Sequence, residues 1–212
     1  MAIARKKNGL GRNAARVGAV LATLGLGATL TVSSAWADDS PSSAELIRSC
    51  NNGTSQCSFH PQSWEYYTGP SHQVSDVVYN CGSETNQYTI GWEDTTESSD
   101  SVGVAVTVSA GFQKVFEAAI EASYSHTWTV SHSDSATATI NVPSAHVGWI
   151  NRGAAKQQAT GWWEMHYDKP FSGHYVWYVK DYKESGPHAG SVGTITFQNR
   201  AMTSSERNQH GC

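Results

Sequence analysis

The sequence predicts a mainly β fold, and three observations carry that prediction. Between Ser101 and Ser109 the residues alternate, with Val102, Val104, Val106 and Val108 on one side and Ser101, Gly103, Ala105, Thr107 and Ser109 on the other. This is the period of a strand with one apolar and one small, wettable face. From Ser123 to Ser135 every second position is Ser or Thr, a pattern that suits a strand with one wet face. The later chain then breaks into runs rich in Val, Thr, Tyr and Trp, namely Val147–Ile150, Thr160–Tyr167, Tyr175–Tyr182 and Val192–Phe197, separated by Gly, Pro and charged turns.

Taken in order, the chain of 212 residues opens with Arg5, Lys6, Lys7, Arg12 and Arg16 ahead of an apolar stretch, Val17–Leu30, that ends in small residues and Ala35-Trp36-Ala37. That is the pattern of a secretory signal peptide over 1–37 with an A-x-A cleavage site, and the stretch is shorter than the roughly 20 residues of a membrane anchor. The expected location is therefore secreted and extracellular. Loss of five basic residues and no acidic ones takes the formal charge from −4 to −9. A chain so acidic lacks the basic patch that polyanion binding needs, so no nucleic acid is expected as a partner.

Residues 38–45 are acidic, Ser/Pro-rich and without apolar periodicity, which predicts a mobile leader, with folding from Leu46. Cys50, Cys57, Cys81 and Cys212 all lie in the exported part, where two disulfides are the default. Three connectivities are open; Cys50 and Cys57 can close a small loop through the turn Asn51-Asn52-Gly53-Thr54, and Cys81 would then reach Cys212. No C-x-x-C pair or zinc-finger His spacing is present, so no metal and no cofactor is expected. From Ser58 to Asn80, Phe59, Trp64, Tyr66, Tyr67 and Tyr79 are punctuated by Pro61, Gly69 and Pro70, which predicts short strands and turns.

After Gly111-Phe112-Gln113-Lys114 the alternation resumes, with Ala118, Ile120, Ala122, Tyr124 and His126 opposed to Glu117, Ala119, Glu121, Ser123 and Ser125. A short helix competes here, because Phe116–Ala122 is rich in helix formers. Strand is preferred, since Ser123 to Val142 continues in Thr, Ser, Val and Ile without a break or cap until Pro143. No catalytic constellation is found. There is no G-x-S-x-G or H-E-x-x-H, and His132-Ser133-Asp134 point to alternate faces of a strand, so the chain is not expected to be an enzyme. Trp162 and Trp163 must likewise face opposite ways, one buried and one exposed or covered. With Tyr175, Trp177 and Tyr178 they could stack on a sugar or a lipid headgroup, although a structural role is the commoner fate of such rings.

The stretch Thr95-Thr96-Glu97-Ser98-Ser99, then Ser101–Ala110, Glu117–Val142 with Asn141-Val142-Pro143, and Gly161-Trp162-Trp163-Glu164 resembles the pore-forming module of aerolysin-like toxins, in particular the epsilon-toxin and mosquitocidal-toxin branch. The likeness is one of pattern and order and spans Thr95 to Tyr167. It implies a long-stranded antiparallel sheet or sandwich with an amphipathic insertion hairpin: a secreted protein that binds a surface receptor on a target cell membrane, forms a homo-oligomer and inserts the hairpin as a β-barrel. The implied divisions are a small, disulfide-containing, aromatic-rich head over 46–94 and the pore module with C-terminal strands over 95–212. In that hairpin Val102, Val104, Val106, Val108, Ala118, Ile120, Ala122 and Tyr124 would face lipid, Gly111–Phe116 would form the tip with Phe112 and Phe116 as its apolar leads, and Glu117 and Glu121 would face water. Barrel strands need roughly 9–11 residues with this alternation, and only a closed barrel satisfies the backbone in hydrocarbon. Members of the family usually carry a larger receptor-binding region, so Trp64, Tyr66 and Tyr67 are the candidates for receptor contact. The competing reading is a disulfide-stapled β-sandwich that binds a carbohydrate or a protein, in which the valine face packs on the core.

Overall fold

The computed structural model of the chain describes residues 40–107 and 110–212. The signal peptide expected over 1–37 and the side chain of Val108 lie outside the described residues. The elements run α1 (Ser43–Ser49), β1 (Gln56–Gln73), β2 (Val78–Asn80), β3 (Asn86–Glu97), β4 (Ser99–Asp100), α2 (Gly111–Tyr124), β5 (Ser131–Val142), β6 (His146–Phe171), β7 (His174–Pro187), β8 (Thr194–Ala201) and α3 (Ser204–His210). The mainly β class holds.

One long strand organises the main sheet. β6 pairs antiparallel with β1 and then β2 along one edge, and with β7 and then β8 along the other. Two runs expected as separate strands, Val147–Ile150 and Thr160–Tyr167, are thus parts of β6. Its side chains alternate between buried and partly exposed over most of its length. The expected opposition of Trp162 and Trp163 holds: Trp163 is fully buried and Trp162 half-buried. Because β1 pairs along β6, residues before and after 95 share one sheet.

β3 and β5 form a separate two-stranded ribbon, paired from Asn86 opposite Val142 to Glu97 opposite Ser131. Its even-numbered face turns inward. Ile90, Trp92, Ile140 and Val142 pack with Ile150 of β6. The odd-numbered face carries the hydroxyls outward, where Thr95 pairs with Ser133 (2.7 Å) and Thr89 with Thr139 (3.3 Å). The regular Ser/Thr spacing therefore reports a solvated ribbon face, as expected, although the strand begins at Ser131 and not at Ser123.

The ribbon is fastened to β6 by charge. Asp94 and Asp134 stand directly opposite each other on its inner face. Arg152, 1% exposed, reaches between them, with Nη1 donating to Asp94 Oδ2 (2.6 Å), Nη2 donating to Asp134 Oδ2, and Nε donating to the Val192 carbonyl (2.8 Å). Its guanidinium also lies 5.5 Å from the Trp92 ring centroid. Facing carboxylates repel unless a cation divides them, so the arginine makes this register tenable.

Both disulfides suggested by the loop argument are present, Cys50–Cys57 and Cys81–Cys212. Order begins earlier than the leader expected over 38–45 allows. Ser42 and Glu45 form a capping box at α1, which buries Leu46 and Ile47.

Replacing Arg152 by Met leaves two inward carboxylates without their cation, and the expected loss is about 3–5 kcal/mol in urea unfolding. Adding Asp94→Asn and Asp134→Asn to that variant should recover part of it, which a comparison of unfolding midpoints would measure.

Candidate functional site

The segment between β4 and β5 is the part of the chain that departs most from the sequence expectation. Glu117–His126 is not a strand. Gly111–Tyr124 is the helix α2, and Gly111–Phe116 lies in its N-terminal half. The reason is a stripe at helical spacing. Phe112, Phe116 and Ile120 recur every four residues, and all three are buried to within 1%. They pack on Phe59, Trp163 and Tyr182 of the main sheet, with Phe59 and Phe116 ring centroids 4.8 Å apart. Each such buried side chain contributes about 1.5–3 kcal/mol. Ala118 and Ala122 lie on the exposed side of the helix.

Caps that the sequence did not advertise close both ends. At the N-terminus the Phe112 amide donates to Asn51 Oδ1 (3.2 Å), a side chain held in the loop that the Cys50–Cys57 disulfide closes. A side chain at Gly111 would come within 2.9 Å of Asn51 Cα, so glycine permits this approach. At the C-terminus Ser125 takes the left-handed conformation (φ 53°) and its amide donates to the Glu121 carbonyl (2.8 Å).

Ser101–Ala110, expected as a strand, makes no ladder beyond Asp100 among the described residues. Asp100 Oδ1 instead accepts from the amides of Val102 (2.7 Å) and Val104 (3.2 Å), turning the chain out of the sheet. Val104 is buried, and Val102 and Val106 are half-buried. The valine alternation survives as a burial pattern, because the segment lies against the core without a partner strand.

Beneath α2 sits a buried carboxyl. Glu184 of β7 is fully buried, with Oε1 accepting from Gln113 Nε2 (3.1 Å) and Oε2 accepting from the Tyr182 hydroxyl (2.8 Å). Burial pushes its pKa up from 4.5 to about 7 against the lowering effect of those two bonds. Burial and the adjacent Glu184 also raise the pKa of Tyr182, which stays protonated. Gln113 Oε1, Trp128 Nε1 and Trp163 Nε1 are buried near this helix with no hydrogen-bond partner among the described residues.

The candidate receptor residues divide. Trp64 is half-buried at the C-terminal end of α2, 4.5 Å from the His126 ring and 5.9 Å from Tyr124, with Nε1 donating to Gln157 Oε1 (3.1 Å). Tyr66 is exposed and stacks on His188 (3.9 Å), and Tyr67 is exposed. Tyr66, Tyr67 and His188 help line a cavity of about 340 Å³. No group of three His, Cys, Asp or Glu placed to hold a metal occurs among the described residues.

No protein-family model matches the chain, and no curated protein matches it. Solved structures do. A candidate pore-forming toxin from Bacteroides vulgatus is 8% identical with a TM-score of 0.30, over 71% of this chain and 59% of its own. The Bacillus thuringiensis toxin parasporin-2, described as recognising cancer cells, is 16% identical with a TM-score of 0.22, over 71% of this chain and 73% of its own. A non-toxic crystal protein from Bacillus thuringiensis is 8% identical with a TM-score of 0.23, over 71% of this chain and 90% of its own. This chain thus spans about three-fifths of the Bacteroides protein. Toxins of the pore-forming kind are among the similar structures, and at these scores the matches assign no role to any residue.

The carboxyl under α2 gives the fold a pH dependence of defined sign. The folded-state pKa of Glu184 lies above its ordinary value, so its stabilisation is fully present below about pH 4.5 and is lost as pH rises through about 7. The loss is on the order of 3 kcal/mol. Urea midpoints measured from pH 4.5 to 8.5 should fall for the parent chain across that window, and Glu184→Gln should flatten this part of the profile.

Proposed function

We propose that this chain is a secreted, non-enzymatic pore-forming protein of the aerolysin-like kind. It binds a surface receptor, oligomerises on a target membrane and converts the segment between β3 and β5 into an inserted β-hairpin. The observation that supports this reading is the register of the ribbon. Glu97 pairs with Ser131, and the Ser98 amide donates to the Val130 carbonyl (2.7 Å) one step further on.

Continuing that pairing one residue for one residue sets Val102 opposite His126, Val104 opposite Tyr124, Val106 opposite Ala122, Val108 opposite Ile120, Ala110 opposite Ala118 and Phe112 opposite Phe116. Partners in a ladder share a face. All these pairs fall on the even-numbered face, the one the ribbon already turns to the core, and His126 alone among them is not apolar or aromatic. The other face collects Ser101, Thr127, Gly103, Ser125, Ala105, Ser123, Thr107 and Glu121, and the turn centres on Lys114. Each extended arm matches the roughly 9–11 residues of a transmembrane strand, with apolar side chains toward lipid and polar ones toward a water-filled lumen.

The conversion costs little in apolar burial. Phe112, Phe116 and Ile120 leave a protein core for hydrocarbon, and the helical hydrogen bonds of α2 are replaced by ladder bonds. Lipid cannot satisfy an open edge, so the extended hairpin requires neighbours that close the barrel. The buried Glu184 and the unpartnered polar atoms near α2 lower the cost of lifting the helix away.

Ala122 and Ser123 separate helix from hairpin. Both are exposed on α2, so Ala122→Asp and Ser123→Asp should leave the soluble fold within about 0.5 kcal/mol of the parent. In the inserted hairpin Ala122 meets lipid and Ser123 meets the lumen. Dye release from liposomes made with target-cell lipids and receptor should drop at least tenfold for Ala122→Asp and stay near the parent level for Ser123→Asp. Equal release from both variants would remove the hairpin assignment. Failure of the parent chain to release dye or form a detergent-resistant oligomer on any membrane would favour the binding-module reading.

A further inference from the structure

Two irregularities in the main sheet border one cavity. On the β1 side the register skips between Pro61 and Ser63, leaving Gln62 unpaired against the step between Thr160 and Gly161, next to Trp162 in the strand, whose own β1 partner is His60. On the β7 side Gly161 pairs with Tyr182 but Trp163 pairs with Val179, so Lys180 and Asp181 both stand against Trp162. Asp181 adopts φ 55°, the left-handed region that a residue with a side chain enters at a cost. Bulges of this sort re-aim side chains, and these two, on opposite sides of one strand, bring Gln62, Lys180 and Asp181 to the cavity that Trp162 lines. The result is a cavity of about 470 Å³ lined by Gln62, Trp162, Tyr178, Lys180 and Asp181.

The rings are held in place from behind. His60 lies flat on Trp162, with centroids 3.8 Å apart and planes 10° from parallel. Glu164 lies 3.2 Å from His60 Nε2 and 2.7 Å from His166 Nε2, and the bond from His166 holds its carboxyl below the usual range. Tyr178, half-exposed, stands 5.8 Å from Trp162 at 57°. Trp163, next in sequence, points to the opposite face and fills the core. The fold is thus served by Trp163, and neither the core nor the insertion segment uses the cavity.

We propose that this cavity binds a single uncharged sugar ring, the terminal residue of a cell-surface glycan. A pyranose has an apolar C–H face that stacks on an aromatic ring and a rim of hydroxyls that both donate and accept hydrogen bonds. The cavity offers that combination: two aromatic faces, the Gln62 amide, the Asp181 carboxylate as acceptor and the Lys180 ammonium as donor. Lys180 and Asp181 cancel in charge, so neither an anionic sugar nor a bare phosphate is favoured. The ammonium opposes a quaternary amine over the rings. The volume falls within the roughly 300–1,000 Å³ of small-molecule sites. This site supplies the receptor side of the pore-forming reading, but its binding requires no membrane.

The test uses the purified secreted chain with both disulfides intact on an array of neutral and sialylated glycans, followed by calorimetric titration of the best neutral glycan. The expected result is binding to a neutral terminal hexose or N-acetylhexosamine. Tyr178→Ala and Gln62→Ala should each weaken it at least tenfold with an unchanged thermal melt, and Trp162→Ala should abolish it. Asp181→Asn keeps a residue that tolerates φ above zero, so weakening there reports loss of the carboxylate. The proposal is overturned if no neutral glycan binds, if Tyr178→Ala binds as the parent does, or if the variants lose binding only to phosphocholine vesicles. Glycan binding without dye release would defeat the pore-forming reading alone; dye release without glycan binding would defeat this proposal alone.

Discussion

The arginine between two aspartates is the interaction on which the other assignments depend. Asp94 and Asp134 face each other across the β3–β5 ribbon, and Arg152 of the main sheet joins both. A one-residue slip of either strand would turn that strand's carboxylate outward and strip the buried guanidinium of one of its two counter-charges, a cost of several kcal/mol. The ribbon is therefore locked in one register. That register decides which residues of the intervening segment would meet if the ladder grew. The same contact fixes the inner face in the folded protein and would set the apolar face of the proposed hairpin.

The segment itself is written in two periods at once. Phe112, Phe116 and Ile120 are four apart, so they form one stripe of a helix; they are also all even-numbered, so they form one face of a strand. Val102, Val104 and Val106 lie on further even positions, with Val102 and Val104 packed against the core in the folded protein, whereas Ala118 and Ala122 lie on even positions that the helix leaves exposed. Ala118 and Ala122 would tell the proposed hairpin from the helix, being exposed on α2 and falling on the apolar face if the ladder grew. A sequence with such double patterning can store a strand as a helix with little loss of apolar burial. It also misleads a reading from alternation alone, because period two is satisfied whichever structure forms.

What was legible follows from locality. The mainly β class, the opposed Trp162 and Trp163, and the solvated hydroxyl face of β5 rest on alternation within one strand, which the backbone enforces. The short Cys50–Cys57 loop was readable from its turn residues, and the Cys81–Cys212 pair followed. The helix was missed because its N-terminal cap is Asn51, some sixty residues earlier, and its stop is a left-handed serine and not a glycine. The valine segment is not the strand its alternation predicts, because that alternation records burial against the core with no ladder partner among the described residues. Nor could single-strand patterns foretell the Arg152 clamp, or that irregularities in β1 and β7 border one cavity beside Trp162, since each depends on registers between strands distant in sequence.

The most direct test of the central claim is a scan of single cysteines, labelled with an environment-sensitive dye, through positions 117 to 124 in the presence and absence of receptor-bearing membranes. A helix-to-hairpin conversion in the ribbon's register predicts a blue shift on membrane addition at 118, 120, 122 and 124 and little change at 117, 119, 121 and 123. A shift that repeats every three to four residues, or none at any position while the membrane leaks, would contradict it.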